Sequence, residues 1–205
     1  MPRKLRKLKK LSMYKALQLG YMRGQEERQA RKLKRYGYVL DKELTDNQHL
    51  VAYSPITGKV LYVNNGSSVN PITDTNQFIK DWRSNIANIP TGTFGYTPRA
   101  QEDKSTYLKA KAKYKDAPFK LVGHSQGAID INELAGPNDK GYTYNGAFLK
   151  QKDNPNVTNY RSANDIVSAF ANPNDMRTLS QPNLSTQNFY QAHNIDNIKQ
   201  LPVFL

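Results

Sequence analysis

Apolar positions along the N-terminal segment follow a helical rather than an extended period. Leu5, Leu8, Leu11, Tyr14 and Leu17 recur every three residues with Lys and Arg between them, which predicts an amphipathic, basic helix. Gly20 and Gly24 interrupt it, and residues 25–35 predict a second, more polar helical piece beyond a hinge. Further on, the pattern predicts a hairpin through Ser54-Pro55-Ile56-Thr57-Gly58, helices around 77–89 and 100–114, and a strand at 118–123. A helix from Ser125 to Leu134 follows, then strands near 142–148 and 156–162 and a loop-rich tail. This alternation predicts an α/β fold of the α/β-hydrolase type, a mostly parallel sheet with helices on both faces. No internal repeat is visible.

Charge divides the chain more sharply than hydropathy does. The net charge is +13, and residues 1–38 hold 13 of the 30 Lys/Arg against only Glu26 and Glu27. The expected organisation is therefore a basic helical or disordered arm, 1–38, on a nearly neutral domain, 39–205. Such an arm fits a solvated tail, a phosphate-neutralising arm on nucleic acid, a nuclear signal, or a helix lying on anionic lipid. Lys109, Lys111, Lys113 and Lys115 alternate with Ala110, Ala112 and Tyr114, the pattern of a solvated helix face. No run of 18 apolar residues and no apolar stretch behind the basic start are present, so neither a membrane span nor a signal peptide is expected. The location this implies is intracellular or inside a virus particle. The absence of Cys excludes disulfides, thiolate metal sites and a cysteine nucleophile.

The chemistry concentrates in Gly123-His124-Ser125-Gln126-Gly127, between the apolar run Phe119-Lys120-Leu121-Val122 and a predicted helix. A Ser at a strand-to-helix turn is held in a strained backbone with its side chain pushed out above the sheet edge. Gly123 and Gly127 remove the Cβ atoms that would crowd this elbow. The helix that follows aims its first amides and positive dipole end at the place where an oxyanion would form. His124 points the wrong way to serve its neighbour, which leaves His49 and His193 as bases. Folds with this elbow run Ser, acid, His along the chain, which favours His193. Asp165 follows a predicted strand and suits the acid better than Asp139, Asp153 or Asp175, which fall in Asn/Pro-rich loops. Ser125 would attack a carbonyl, His193 would take and return its proton, and Asp165 would hold the imidazole tautomer, with no metal or cofactor needed.

These residues resemble the class 3 (fungal-type) lipases over roughly residues 50–200. Val60-Leu61-Tyr62-Val63-Asn64-Asn65-Gly66-Ser67 is similar to the family strand ending in Arg-Gly-Thr, and Asp81-Trp82 to its Asp-Trp segment. Gly123-His124-Ser125-Gln126-Gly127-Ala128 resembles Gly-His-Ser-Leu-Gly-Gly, and Asn164-Asp165-Ile166-Val167 with His193 resembles the family's acid and late base. The resemblance implies an α/β-hydrolase with Ser125, Asp165 and His193 as triad and the amides of Ser67 and Gln126 as oxyanion hole. The Ser67 hydroxyl would add a hydrogen bond, as the family's Thr does. The family's Arg is missing before Gly66, and Gln126 and Ala128 replace Leu and Gly. Only residues 68–80 are available where a lid would lie.

The expected function is a serine ester hydrolase of the lipase or phospholipase class, with residues 1–38 docking it to an anionic membrane, to nucleic acid or to a larger assembly such as a virus particle. The alternative is a non-catalytic structural or nucleic-acid-associated protein on a lipase-like scaffold. In that case Ser125 is a helix N-cap, His193 a surface histidine and Asp165 the N-cap of a helix running into Ser168.

Overall fold

In a computed structural model, residues 8–66, 97–146, 154–162, 176–179 and 192–199, with 165, 168, 203 and 205, are described. Among them seven strands form one sheet, ordered in space as they occur in the chain. β1 (Val39–Leu40), β2 (His49–Tyr53) and β3 (Val60–Asn64) form an antiparallel meander, the last two joined through the predicted turn at 54–58. β4 (Phe119–His124), β5 (Lys140–Tyr144), β6 (Val157–Ser162) and β7 (Met176–Leu179) continue it in parallel from β3. The architecture is α/β, with a mostly parallel sheet and helices on both faces.

Side-chain alternation along β2 to β4 splits the core in two, because successive residues of a strand face opposite sides. Val51, Val60, Tyr62, Phe119 and Leu121 face α3 (Pro98–Lys113) and α4 (Gln126–Leu134), where Tyr107, Ala110 and Ile131 meet them. Leu50, Leu61, Val63 and Val122 face the other way, onto Leu11, Met13, Leu17 and Leu33. Helix α3 starts cleanly: Pro98 occupies its first turn, and the Ala100 amide donates to the Thr97 hydroxyl at 3.2 Å.

The second of these layers changes the reading of the N-terminal segment. It does contain two helices, α1 (Met13–Gly20) and α2 (Glu26–Leu33), separated near the predicted hinge, but Leu8 and Leu11, expected on the first helix, lie outside it because Ser12 caps α1. Yet the apolar stripe of α1 is not available to a membrane or a partner. Ala16 and Leu17 are fully buried and Met13 is 1% exposed, so α1 covers one face of the sheet. The chain's far end joins it there: Met13 N–H donates to Val203 O and Leu205 N–H to Leu11 O. The larger of these side chains, Met13 and Leu17, each contribute roughly 1.5–3 kcal/mol on burial, which a detached tail would forgo. Among the described residues, no helix is long and apolar enough to cross a membrane.

Other differences are local. The strand expected at 142–148 begins and ends earlier, at Lys140 and Tyr144, where Asn145 turns the chain with φ 46°. Strand β7 lies in the tail read as loop. The lysines of α3 are not a purely solvated face: Lys111 pairs with buried Asp139 and lies 4.1 Å over the Phe119 ring, and Lys113 reaches Asp41 and Glu43. The helix expected at 77–89 lies outside the described residues.

Candidate active site

β4 is central in the sheet and α4 leaves it at once, so the turn between them must reverse the chain within one residue. That residue is Ser125, with φ 54° and ψ −122°, well outside the conformations a β-carbon favours. Ser125 N–H donates to Tyr144 O at 3.1 Å, which ties the strained turn to β5. The glycines around it are required by contact. A Cβ on Gly127 would lie 2.4 Å from the Asn64 carbonyl oxygen, and one on Gly123 would lie 2.7 Å from the Gly127 carbonyl oxygen. Although Ser125 stands at the N-cap position of α4, its side chain makes no capping hydrogen bond. Gln126 begins α4 and is buried, so its amide is among the first N–H groups of that helix, which have no intrahelical acceptor.

His193 and Asp165 are brought together from distant points of the chain. His193 Nδ1 and Asp165 Oδ1 lie 2.9 Å apart, both residues nearly inaccessible to solvent. The other carboxylate oxygen, Oδ2, accepts from the Ser168 amide at 3.0 Å and its hydroxyl at 2.6 Å. Asp165 thus caps the turn to Ser168 with one oxygen and holds His193 with the other. Burial alone would raise its pKa, but the His193 charge, with hydrogen bonds from His193 and Ser168, holds it below the usual carboxylate range. His193 is 4% exposed, so the surface-histidine reading does not apply. Its loop is anchored by Asn145, whose Nδ2 donates to Ala192 O at 2.9 Å while its Oδ1 accepts from Ser162 N–H.

His124 takes no part in an acid–base pair. Its ring stands 4.8 Å from that of His193, and its Nε2 lies 3.0 Å from His193 O, which can only accept. Nε2 therefore carries the proton, and Nδ1 accepts from the Tyr21 hydroxyl at 2.6 Å. Burial, with the neighbouring His193, drives the His124 pKa down to about 3.

The strand end that leads to Gly66 is held by a buried charge cluster that the sequence reading did not anticipate. His49, fully buried, places Nε2 2.6 Å from Asp103 Oδ1 and Nδ1 2.9 Å from Asp46 Oδ2. Arg99 donates from Nε to Asp103 Oδ2 at 2.9 Å, and from Nη2 to Asn64 Oδ1 at 3.1 Å and Asn65 O at 2.7 Å. Burial would push the His49 imidazole down, but the bonds and charges of Asp103 and Asp46 outweigh it and raise its pKa to about 9. Asp130, packed against Asp103, is pushed up by burial and by that neighbouring charge. Two local spacings could have signalled parts of this cluster, Arg99 and Asp103 four apart on α3 and Asp46 and His49 three apart leading into β2, but nothing in the sequence joins the two pairs. Ser67, Asp81 and Trp82 lie outside the described residues, and no group of three or more His, Asp or Glu able to hold a metal occurs among the described ones.

The two buried histidines predict a stability optimum near pH 6.5. His49 has a folded pKa of about 9, above its unfolded value, so its contribution is present below pH 6.5 and lost up to pH 9, about 3 kcal/mol in all. His124 has a folded pKa of about 3, below its unfolded value, so stability falls as pH drops from 6.5 towards 3. Asp41, Asp46, Asp103 and Asp165, all lowered, act in the same direction in acid, while Asp130 and Glu133 oppose them. Urea midpoints measured from pH 3 to 10 should peak near 6.5. A flat profile between pH 6.5 and 9 would contradict an ionised His49.

No family model matches the chain, and no curated protein matches it. Among solved structures, it is similar to a mutant of MDLA of Penicillium cyclopium, at 14% identity and TM-score 0.42, over 89% of this chain and 90% of that one. It is also similar to a Rhizomucor miehei lipase in a propeptide complex, at 18% identity and TM-score 0.35, over 64% of this chain and 51% of that one. A lipase of Rhizopus microsporus var. chinensis follows, at 15% identity and TM-score 0.27, over 58% and 50%. The chain thus spans about half the length of these two lipases.

Proposed function

We propose that the protein is a serine ester hydrolase of the lipase or phospholipase class, working through an acyl-enzyme on Ser125. The observation that carries this reading is the backbone of Ser125: a non-glycine residue at φ 54° between a central parallel strand and a helix, with its side chain not used as a cap. Such strain persists only where the surroundings enforce it, and here two glycines and Tyr144 do so. In the mechanism, His193 accepts the Ser125 proton as the hydroxyl attacks the ester carbonyl, and later returns it to the leaving alkoxide. Asp165 keeps the His193 Nδ1–H directed inward, so that the opposite ring nitrogen is the one that accepts. The amides of Gln126 and Ser67 would receive the oxyanion. Water then repeats the sequence on the acyl-enzyme and frees the acid.

The basic segment enters this reading as an attachment surface for an anionic lipid interface. Because Leu11, Tyr14 and Leu17 are spent on the core, insertion of an apolar face is not open to it. What remains outside is charge: Lys9, Lys10, Lys15, Arg28, Arg31, Lys34 and Arg35 are exposed. Attachment through such a face is electrostatic and weakened by salt.

A fluorophosphonate probe tests the central claim. It should label the full-length protein at one peptide containing Ser125, identified by mass spectrometry, and Ser125→Ala should lose both the label and hydrolysis of p-nitrophenyl butyrate while remaining folded. Equal labelling of wild type and Ser125→Ala would end the proposal.

A further inference from the structure

The turn between α1 and α2 delivers two side chains to the loop that faces Ser125. Gly66 N–H donates to the Tyr21 hydroxyl oxygen at 3.0 Å, and Arg23 Nη2 donates to Gly66 O at 3.0 Å. Both polar groups of one residue are therefore held by the N-terminal segment. Gly66 also touches the proposed nucleophile, since a Cβ built on it would lie 2.7 Å from Ser125 Cβ. The Tyr21 hydroxyl donates a hydrogen bond to His124 Nδ1 at 2.6 Å, and His124 Nε2–H donates to the carbonyl of His193 at 3.0 Å. One line of hydrogen bonds thus runs from Gly66 through Tyr21 and His124 to the backbone of the base. The Arg23 guanidinium lies 5.4 Å from the centroid of the Tyr21 ring, so the two side chains brace each other.

Resting on the ester-hydrolase reading above, we propose that Tyr21 and Arg23 are positioning residues of the active site, which clamp the Gly66 peptide and so aim the amide that follows it at the oxyanion. The physical step is the planarity of the trans peptide, in which the carbonyl of one residue and the N–H of the next point in opposite directions. A group that fixes Gly66 O therefore fixes the direction of the next amide as well. An oxyanion donor must be aimed before the charge develops, because reorganising it during the reaction consumes the stabilisation it offers. A glycine holds its own backbone loosely. Gly66 is needed here because nothing larger fits against Ser125, and the looseness it brings is removed from outside by Tyr21 and Arg23. The basic segment, on this account, is part of the catalytic apparatus through its turn, independently of what its exposed charges touch.

The test uses the full chain and p-nitrophenyl butyrate, with Tyr21→Phe, Arg23→Met, Arg23→Lys and Ser125→Ala compared side by side. Tyr21→Phe and Arg23→Met should each lower kcat roughly tenfold to a hundredfold, less than outright loss of an oxyanion donor. KM should change by less than about twofold, since only the transition state carries the charge. Arg23→Lys, which can still donate to Gly66 O, should recover most of the rate. In 15N-resolved spectra the Gly66 amide should shift in Tyr21→Phe, with the His124 Nδ1 resonance moving in the same variant. A purely structural role would lower the melting temperature and leave kcat of the folded fraction unchanged. An active wild type with kcat unchanged in both Tyr21→Phe and Arg23→Met overturns the proposal and leaves the hydrolase reading standing. A wild type no faster than Ser125→Ala overturns the hydrolase reading, and the positioning role falls with it even if the Gly66 shift is seen.

Discussion

Replacing His193 by Ala is expected to lower kcat for ester hydrolysis roughly 10⁶-fold, and Asp165→Asn roughly 10⁴-fold, with KM little changed in either. The two effects differ because the two residues do different things. In the proposed mechanism His193 moves the proton, so without it Ser125 would have no base. Asp165 moves nothing: its Oδ1 sits 2.9 Å from His193 Nδ1 and keeps the hydrogen on that nitrogen. An Asn at 165 can offer its own N–H to Nδ1 instead, which puts the imidazole proton on the nitrogen that should accept from Ser125. The geometry survives while the tautomer is wrong. Asp165 also accepts from Ser168, so Asp165→Asn should cost some stability, and kcat must be normalised to folded protein followed by circular dichroism. A kcat for Asp165→Asn within tenfold of wild type would remove Asp165 from the role given to it.

Replacing Asp103 by Asn is expected to be the most damaging single change to stability, at about 3–5 kcal/mol, the range for breaking a buried ion pair by removing one partner. Asp103 is fully buried and faces two cations, His49 at 2.6 Å and Arg99 at 2.9 Å. Removing its charge leaves His49 with Asp46 alone and Arg99 with the neutral acceptors Asn64 Oδ1 and Asn65 O, so the His49 pKa falls back towards its unfolded value. The same substitution should therefore flatten the decline in stability between pH 6.5 and 9, because that decline is the titration of His49. Activity should suffer beyond the loss of folded protein, since Arg99 also holds Asn65 O and Asn64 Oδ1, next to Gly66. Urea unfolding at pH 6 and pH 9 measures both parts. A loss at pH 6 below about 1 kcal/mol, the scale of an exposed pair, would show that the cluster carries little net energy.

Much of the sheet was legible because it is local. The hairpin at 54–58, the run at 118–123 and the Gly-x-Ser-x-Gly spacing all encode structure within a few residues, through turn chemistry, β-period and the space two glycines leave. Helices α1 and α2 were legible for the same reason, with their separation near the predicted hinge but without the Ser12 cap that starts α1. Their destination was not. A stripe of Leu between lysines looks alike whether it meets lipid, a partner or the protein's own sheet, and the charge beside it pointed outward. The pairing of His193 with Asp165 was reached through their order in the chain, whereas the double use of Asp165, one oxygen for His193 and one for Ser168, is visible only in three dimensions.

By itself, then, the sequence determined the β2–β3 hairpin, β4 and the helices α2 to α4, and where a strained serine would stand, because periodicity, turn residues and steric room act over neighbours in the chain; β7 lies in a segment that reads as loop. Only the tertiary structure decided that the basic segment closes one face of the core and brings Tyr21 and Arg23 to Gly66, and that His49, Asp103 and Arg99 meet. Apart from the i,i+4 pair of Arg99 and Asp103, those contacts join residues far apart in the chain, Leu11 and Leu205 at the extreme, and no local preference in the sequence marks them.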